Sequence, residues 1–212
     1  MSTYIQDGAE IYRQSFATIR AETPGLEALD PVLERTVVRM IHACGMTDLV
    51  GDIAASPGFG AAGEAALQAG AAVLCDTNMV ASGVTRRRLP ADNPVLCTLT
   101  DPRVADHAAA IGNTRTAAAV ELWADHLAGA LVVIGNAPTA LFHLLDLLEA
   151  ERLPRPAAIV GAPVGFIGAA ESKEDLALRA PALGVEHVIV RGRRGGSAIA
   201  AAAVNALASA VE

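Results

Sequence analysis

Short apolar runs alternate with Ala-rich segments along this chain. Runs at 52–55, 72–76, 95–99, 131–134, 157–160 and 187–190 read as strands. The last four are bounded by Gly or Pro, the pattern of strands buried on both faces. Between them, 103–128, 139–151, 172–179 and 197–210 read as helices. Two more helices, 8–22 and 31–44, precede the first strand, with Pro24-Gly25 as a turn between them. This alternation predicts an α/β fold: a three-layer sandwich with a mainly parallel sheet, preceded by two N-terminal helices. No repeat and no linker divides the chain, so 1–212 reads as a single domain.

In such a sheet a ligand sits beyond the carboxyl ends of the strands. The loops there are 75–78, 135–138, 161–165 and 191–197, all rich in small residues. Gly135 and Asn136 in one, and Gly195 and Gly196 in another, let backbone N–H groups approach a ligand. Helices starting after them present positive dipole ends, which describes an anion-binding rim. A fold alone names no substrate.

One motif competes for attention. Gly58-Phe59-Gly60-Ala61-Ala62-Gly63 matches GxGxxG, and Asp76 follows at the spacing of a ribose-binding acid. The run before it, 52–57, is a poor first strand because it holds a charge, a Ser and a Pro. The alternative is a Pro-Gly turn opening a helix, with small residues for close packing.

Composition narrows the partners. The formal net charge is −7, which argues against a nucleic-acid surface. Lys173 is the only lysine, so the positive charge is almost all Arg, whose planar fork suits carboxylates. No uninterrupted apolar run reaches the roughly 18 residues that would suggest a membrane span. Residues 1–10 carry no basic region and no apolar run, so no signal peptide is expected. Cys44, Cys75 and Cys97 are odd in number and lack CxxC spacing, which fits free thiols in a reducing cytoplasm.

An ordered set of strings then carries a resemblance. They are Ile11-Tyr12-Arg13-Gln14-Ser15-Phe16, Val38-Arg39-Met40-Ile41-His42-Ala43-Cys44-Gly45, and Leu74-Cys75-Asp76-Thr77-Asn78-Met79-Val80 with Gly83-Val84-Thr85. Further on come Gly112-Asn113-Thr114-Arg115, Ile134-Gly135-Asn136-Ala137-Pro138, Gly161-Ala162-Pro163-Val164-Gly165-Phe166, Glu171-Ser172-Lys173 and Arg191-Gly192-Arg193-Arg194-Gly195-Gly196-Ser197. Together they resemble the precorrin-8X methylmutase family of cobalamin biosynthesis, from about Tyr4 to Ala208. The resemblance implies a homodimer, a pocket near the subunit interface, and an isomerase that needs no cofactor or metal. It implies a methyl shift on ring C of precorrin-8X that gives hydrogenobyrinic acid. It places the catalytic histidine on His42 and a substrate-contacting serine on Ser15, with Arg13 close by in the same string.

The residues can be read for themselves. Helix 31–44 has an apolar stripe at Leu33, Val37, Met40, Ile41 and Cys44. His42 lies roughly 150° from its centre at about 100° per residue, beside Arg35 and Arg39. It occupies the last turn before Gly45, where the helix dipole favours an imidazolium. A histidine there commonly serves as a cap; alternatively it is an acid that can lend a proton near neutral pH. His107, His126, His143 and His187 have no partner at metal-ligand spacing and read as packing or surface residues.

A ring with acetate and propionate arms needs positive contacts. Arg86-Arg87-Arg88 follows Thr85, and not all three can point one way. Thr85, Arg86, Arg88, Arg115 and Arg191 are candidate carboxylate contacts, Arg115 as a residue the partner subunit could supply. Two other classes stay open. One is a dinucleotide- or S-adenosylmethionine-binding enzyme using residues 58–63; the other is a non-catalytic tetrapyrrole carrier. Slow product release would suit transient contact with the next pathway enzyme.

Overall fold

The computed structural model describes residues 4–210; residues 1–3, part of the stretch tested for a leader, and 211–212 lie outside the described residues. Asp7 caps α1 (Gly8–Glu22), its carboxylate accepting from the Ala9 N–H at 2.9 Å. Asp30 caps α2 (Pro31–Cys44) in the same way, accepting from Val32 and Leu33, with Pro31 at the first helical position. Gly45 stops α2 at φ 70°, and its N–H donates to Ile41 C=O at 2.7 Å.

A 3-10 turn (Thr47–Asp52) leads to β1 (Ile53–Ala55), α3 (Phe59–Gln68), β2 (Val73–Cys75) and α4 (Asn78–Gly83). A second 3-10 turn (Arg86–Arg88) precedes β3 (Val95–Leu96), then α5 (Val104–Ile111), α6 (Arg115–Glu121) and α7 (Ala124–Leu127). The chain continues through β4 (Leu131–Ile134), α8 (Pro138–Glu149), β5 (Ala158–Gly161), α9 (Ala169–Leu183), β6 (Glu186–Val190) and α10 (Ser197–Ala208). The six strands form one sheet in the order β1-β6-β5-β4-β2-β3, all parallel except β1, which runs antiparallel to β6.

Strand alternation splits the core into two layers. Val73, Cys75, Leu131, Val133, Ala158, Val160, Val188 and Val190 face α2, α3 and α10. Leu74, Val132, Ile134, Ile159 and Ile189 face the Leu-rich side of α8 and α9 and the ring of Trp123. Helix α10 is buried nearly all round, between the sheet and α2. Its run of alanines lets α2 come close.

Several readings of the sequence need correction. The strand expected over 95–99 is two residues long, because Thr98 turns its hydroxyl to the Ala119 carbonyl instead of continuing the ladder. The helix expected over 103–128 is three. Gly112 ends the first at φ 61°, and the Thr114 hydroxyl caps the second by accepting from Ala117 N–H. The GxGxxG glycines are packing residues. A Cβ on Gly58 would lie 2.5 Å from Glu186, on Gly60 2.8 Å from Val32, and on Gly63 2.7 Å from Leu207. The Gly58 N–H donates to the Glu186 carboxylate at 3.1 Å, so that helix start already holds an anion of its own. Asp76, the would-be ribose ligand, is buried and accepts from the N–H groups of Gly135, Asn136 and Ala137 at 2.8–3.0 Å. Burial pushes its carboxyl pKa above the ordinary value against the pull of those three donors. Among the described residues no helix is long and apolar enough to cross a membrane.

Candidate active site

Helices α2 and α10 pack antiparallel, since Arg35 reaches the carbonyl of Ala206 while His42 lies beside Ala198 at the other end. Together with the segment after α4 they line a cleft of about 310 Å³. Ala198, Ala201, Ala202 and Asn205 give one face of α10 to its wall, at helical spacing. Arg39 and His42 come from α2, Tyr12 from α1, and Gly83, Thr85, Arg87 and Arg88 from the segment opposite. Asn205 pins that segment. Its side-chain oxygen accepts from Thr85 N–H at 2.7 Å, and its amide donates to Gly83 C=O at 2.9 Å.

His42 is exposed at the mouth of the cleft. Its Nδ1 is 2.9 Å from Ser15 Oγ, which fixes the ring plane, and its ring lies against Phe16 and Tyr12 with centroids 5.1 and 5.4 Å away. Partial desolvation lowers its pKa below the ordinary 6.5, and the Arg39 guanidinium lowers it further. Arg39 is itself only 7% exposed, because α1 folds over that side of α2 and lays Phe16 against the guanidinium at 5.2 Å. Periodicity on α2 alone had placed it away from the core.

The sequence candidates separate into two groups. Ser15, Thr85 and Arg88 gather with His42. Arg86 turns to the other side of its 3-10 turn, lining a second hollow with Asn78, Ser82 and Cys97, and donates to Val95 C=O at 3.4 Å. Arg13 pairs with Glu10 one turn earlier on the exposed side of α1. Arg115 starts α6 and donates to Leu99 C=O, away from the cleft. Arg191 pairs with Glu174 at 2.7 Å. Gly135 and Asn136 direct their N–H groups to Asp76, and the Gly196 N–H goes to Ala162 C=O at 2.8 Å. Gly195, at φ 154°, packs so closely that a Cβ would lie 2.3 Å from the Ala162 carbonyl oxygen. Tyr12, Arg39, Arg87 and Asn205 were not singled out from sequence. The single legible signal was Arg39 falling beside His42 on the helical wheel.

The fold is α/β, and the cleft beside the helices flanking its sheet carries an imidazole and arginines. The family model described as "CbiC: Precorrin-8X methylmutase" matches residues 10–210. The chain belongs to the precorrin-8X methylmutase family, whose members are isomerases that act in cobalamin biosynthesis. A "Precorrin-8X methylmutase" from Pseudomonas aeruginosa is 64% identical over 209 residues, covering 99% of both chains. A "Cobalt-precorrin-8 methylmutase" from Methanothermobacter thermautotrophicus is 36% identical, covering 94% of this chain and 92% of its own. The solved structure of precorrin-8X methylmutase from Thermus thermophilus superposes with a TM-score of 0.83 at 36% identity, covering 95% of both chains.

Proposed function

We propose that this chain moves a methyl group on ring C of precorrin-8X to the neighbouring carbon, giving hydrogenobyrinic acid, with His42 as general acid. The observation that carries the proposal is a single arrangement: the imidazole held by Ser15 at the mouth of a cleft that Arg39, Arg87 and Arg88 make positive. Protonation of, or a hydrogen bond to, the ring-C nitrogen raises electron demand in the conjugated ring. The methyl then shifts in a concerted 1,5-sigmatropic step, which leaves atoms and charge balanced once the proton returns to His42. The ring without cobalt is the proposed substrate, since the 64% relative carries the name precorrin-8X and the 36% relative the cobalt name.

Arg39 ties binding to chemistry. In the free protein partial burial, and after it the Arg39 charge, disfavour the protonated form of His42. A carboxylate arm bound against Arg39 cancels that charge, so His42 takes up a proton as the substrate seats. A cleft of about 310 Å³ is smaller than a macrocycle with its arms. The remainder of the ring then lies outside it, which suits closure by a second copy in a homodimer, where the partner's surface would supply further contacts. The cytoplasm is the proposed location, and handover to the next enzyme by transient contact is a corollary of slow release.

The test is turnover of precorrin-8X by His42→Ala and His42→Gln, with product binding measured in parallel. A positioned acid is worth about 10²–10⁴-fold, and losses of that size with binding retained are expected. Near wild-type turnover in both variants would overturn the assignment. The pH dependence sharpens it. His42 acts as an acid only when protonated, so kcat/KM falls as pH rises through its lowered free-protein pKa. The descending limb of kcat lies at higher pH than that of kcat/KM, because bound carboxylates raise the pKa again.

A further inference from the structure

The lone lysine lies outside the cleft, yet its side chain is completely buried in α9. Its Nζ donates to the main-chain carbonyl of Arg194 at 2.6 Å, in the loop that delivers the chain from β6 to α10. The same Arg194 sends its guanidinium the other way. It pairs with Asp48 at 2.6 Å and with Asp52 at 3.4 Å, both in the 3-10 turn that follows α2. Arg191 adds a main-chain bond from its N–H to Asp52 C=O at 2.7 Å. One residue therefore joins three elements: α9 through its carbonyl, the 3-10 turn that leaves the end of α2 through its side chain, and the start of α10 through its place in the chain. His42 sits three residues before Gly45 on one of those ends, and Ala198, a cleft residue, lies two residues into the other.

We propose that Lys173 and Arg194 form a clasp that sets the α10 wall of the cleft against His42, making Lys173 a positioning residue for the methyl shift. This rests on the reading of His42 as the acid. A buried ammonium is a costly way to satisfy one carbonyl, since burying a charge is unfavourable unless its interactions offset the loss of water. The charge-assisted bond is stronger than a neutral one, and it acts alongside the main-chain bonds of Arg191, Arg193 and Gly196 that also hold this loop. The charged groups that bear on the ammonium are Asp52, from the turn after α2, and Glu174, its neighbour on α9. They only partly offset burial, which brings the Lys173 pKa down to about 8. The ammonium is lost as pH rises through that value, so the clasp weakens on the alkaline side.

The experiment uses the full chain with Lys173→Met, Lys173→Arg and Arg194→Gln, read by amide hydrogen exchange and by kcat and KM for precorrin-8X across pH. In Lys173→Met, exchange at the Gly196 and Arg191 N–H groups should speed at least about tenfold, and kcat should fall about tenfold or more while KM moves less than about threefold, as for a misplaced acid. Arg194→Gln should lose a similar amount, and the double variant little more, because both remove one device. Beyond the limb assigned to His42, wild-type kcat should steepen again near pH 8, a second break that Lys173→Arg lacks, since a guanidinium stays charged there. If Lys173→Met only lowers thermal stability, and leaves exchange, kcat and the pH profile as in the wild type, the proposal is overturned. Should Lys173→Met not fold, Arg194→Gln decides by the same readouts. Failure of the wild type to turn over precorrin-8X would instead sink the catalytic reading, and unchanged exchange in the variants would still sink the clasp.

Discussion

The two helical layers differ in what they do with space and with charge. On the α8 and α9 side, Leu141, Leu144, Leu145, Leu147, Leu148 and Trp123 fill the interface with the sheet. On the α2 and α10 side, alanines at 200–203 bring the helices close, and the small side chains of Ala198, Ala201 and Ala202 leave a cleft. Histidine follows the same division. His107 and His143 both bond to the carboxylate of Glu121, at 2.9 and 2.8 Å, an arrangement that satisfies them in place. His42 instead has a hydroxyl on one nitrogen, and partial burial together with the guanidinium beside it disfavours its charge. Large side chains and opposite charges produce a closed layer; small ones, with an imidazole beside a guanidinium, leave an open cleft.

The comparison can be broken in three ways. Leu144→Ala opens a cavity in the filled layer and should cost about 2–5 kcal/mol of stability while leaving kcat unchanged, as checked by denaturant unfolding and turnover. A large fall in kcat would mean that the layers are not independent. Arg88→Gln acts on the open layer. Hydrogen bonds to charged groups are worth about 1.5–3 kcal/mol, so product should bind roughly tenfold to a hundredfold more weakly, with a shallower salt dependence. Glu121→Gln is the smallest. Burial alone would raise the Glu121 pKa, but hydrogen bonds from His143 and His107 outweigh it and hold the carboxyl below its ordinary value. Its contribution to stability is present above the unfolded-state pKa and lost as pH falls through the lowered native one. The variant should thus lag the wild type by about 1 kcal/mol near neutral pH, and the gap should close in acid. A gap that persists in acid would show that Glu121 acts by packing.

Much of the frame was legible before any coordinates. The bounds of α1, α2 and β4 follow from local signals: Asp7 and Asp30 before the helices, Gly45 after α2, and glycines on both sides of β4. Where the sequence misleads, a local signal is overridden or unseen. The helix expected over 172–179 runs from Ala169 through Pro181 to Leu183 and stops at Gly184, φ 65°. The Gly58–Gly63 spacing mimics a phosphate loop, but tight contacts to Val32, Leu207 and Glu186, all distant in sequence, explain it. His42 and Ser15 were reached through family resemblance. Arg39 was missed as a wall residue because its burial depends on α1, and Asn205 because its role is to hold a loop about 120 residues earlier in the chain.

The sheet's two margins are also informative. One is a three-residue strand running against its neighbour, and the other is a strand of only two residues. Little unpaired backbone is therefore offered at either border, and neither is long enough to template a matching strand from another molecule. Copies of this protein that meet must do so by side-chain surfaces on helices and loops, leaving each sheet a separate object and not half of a continuous one.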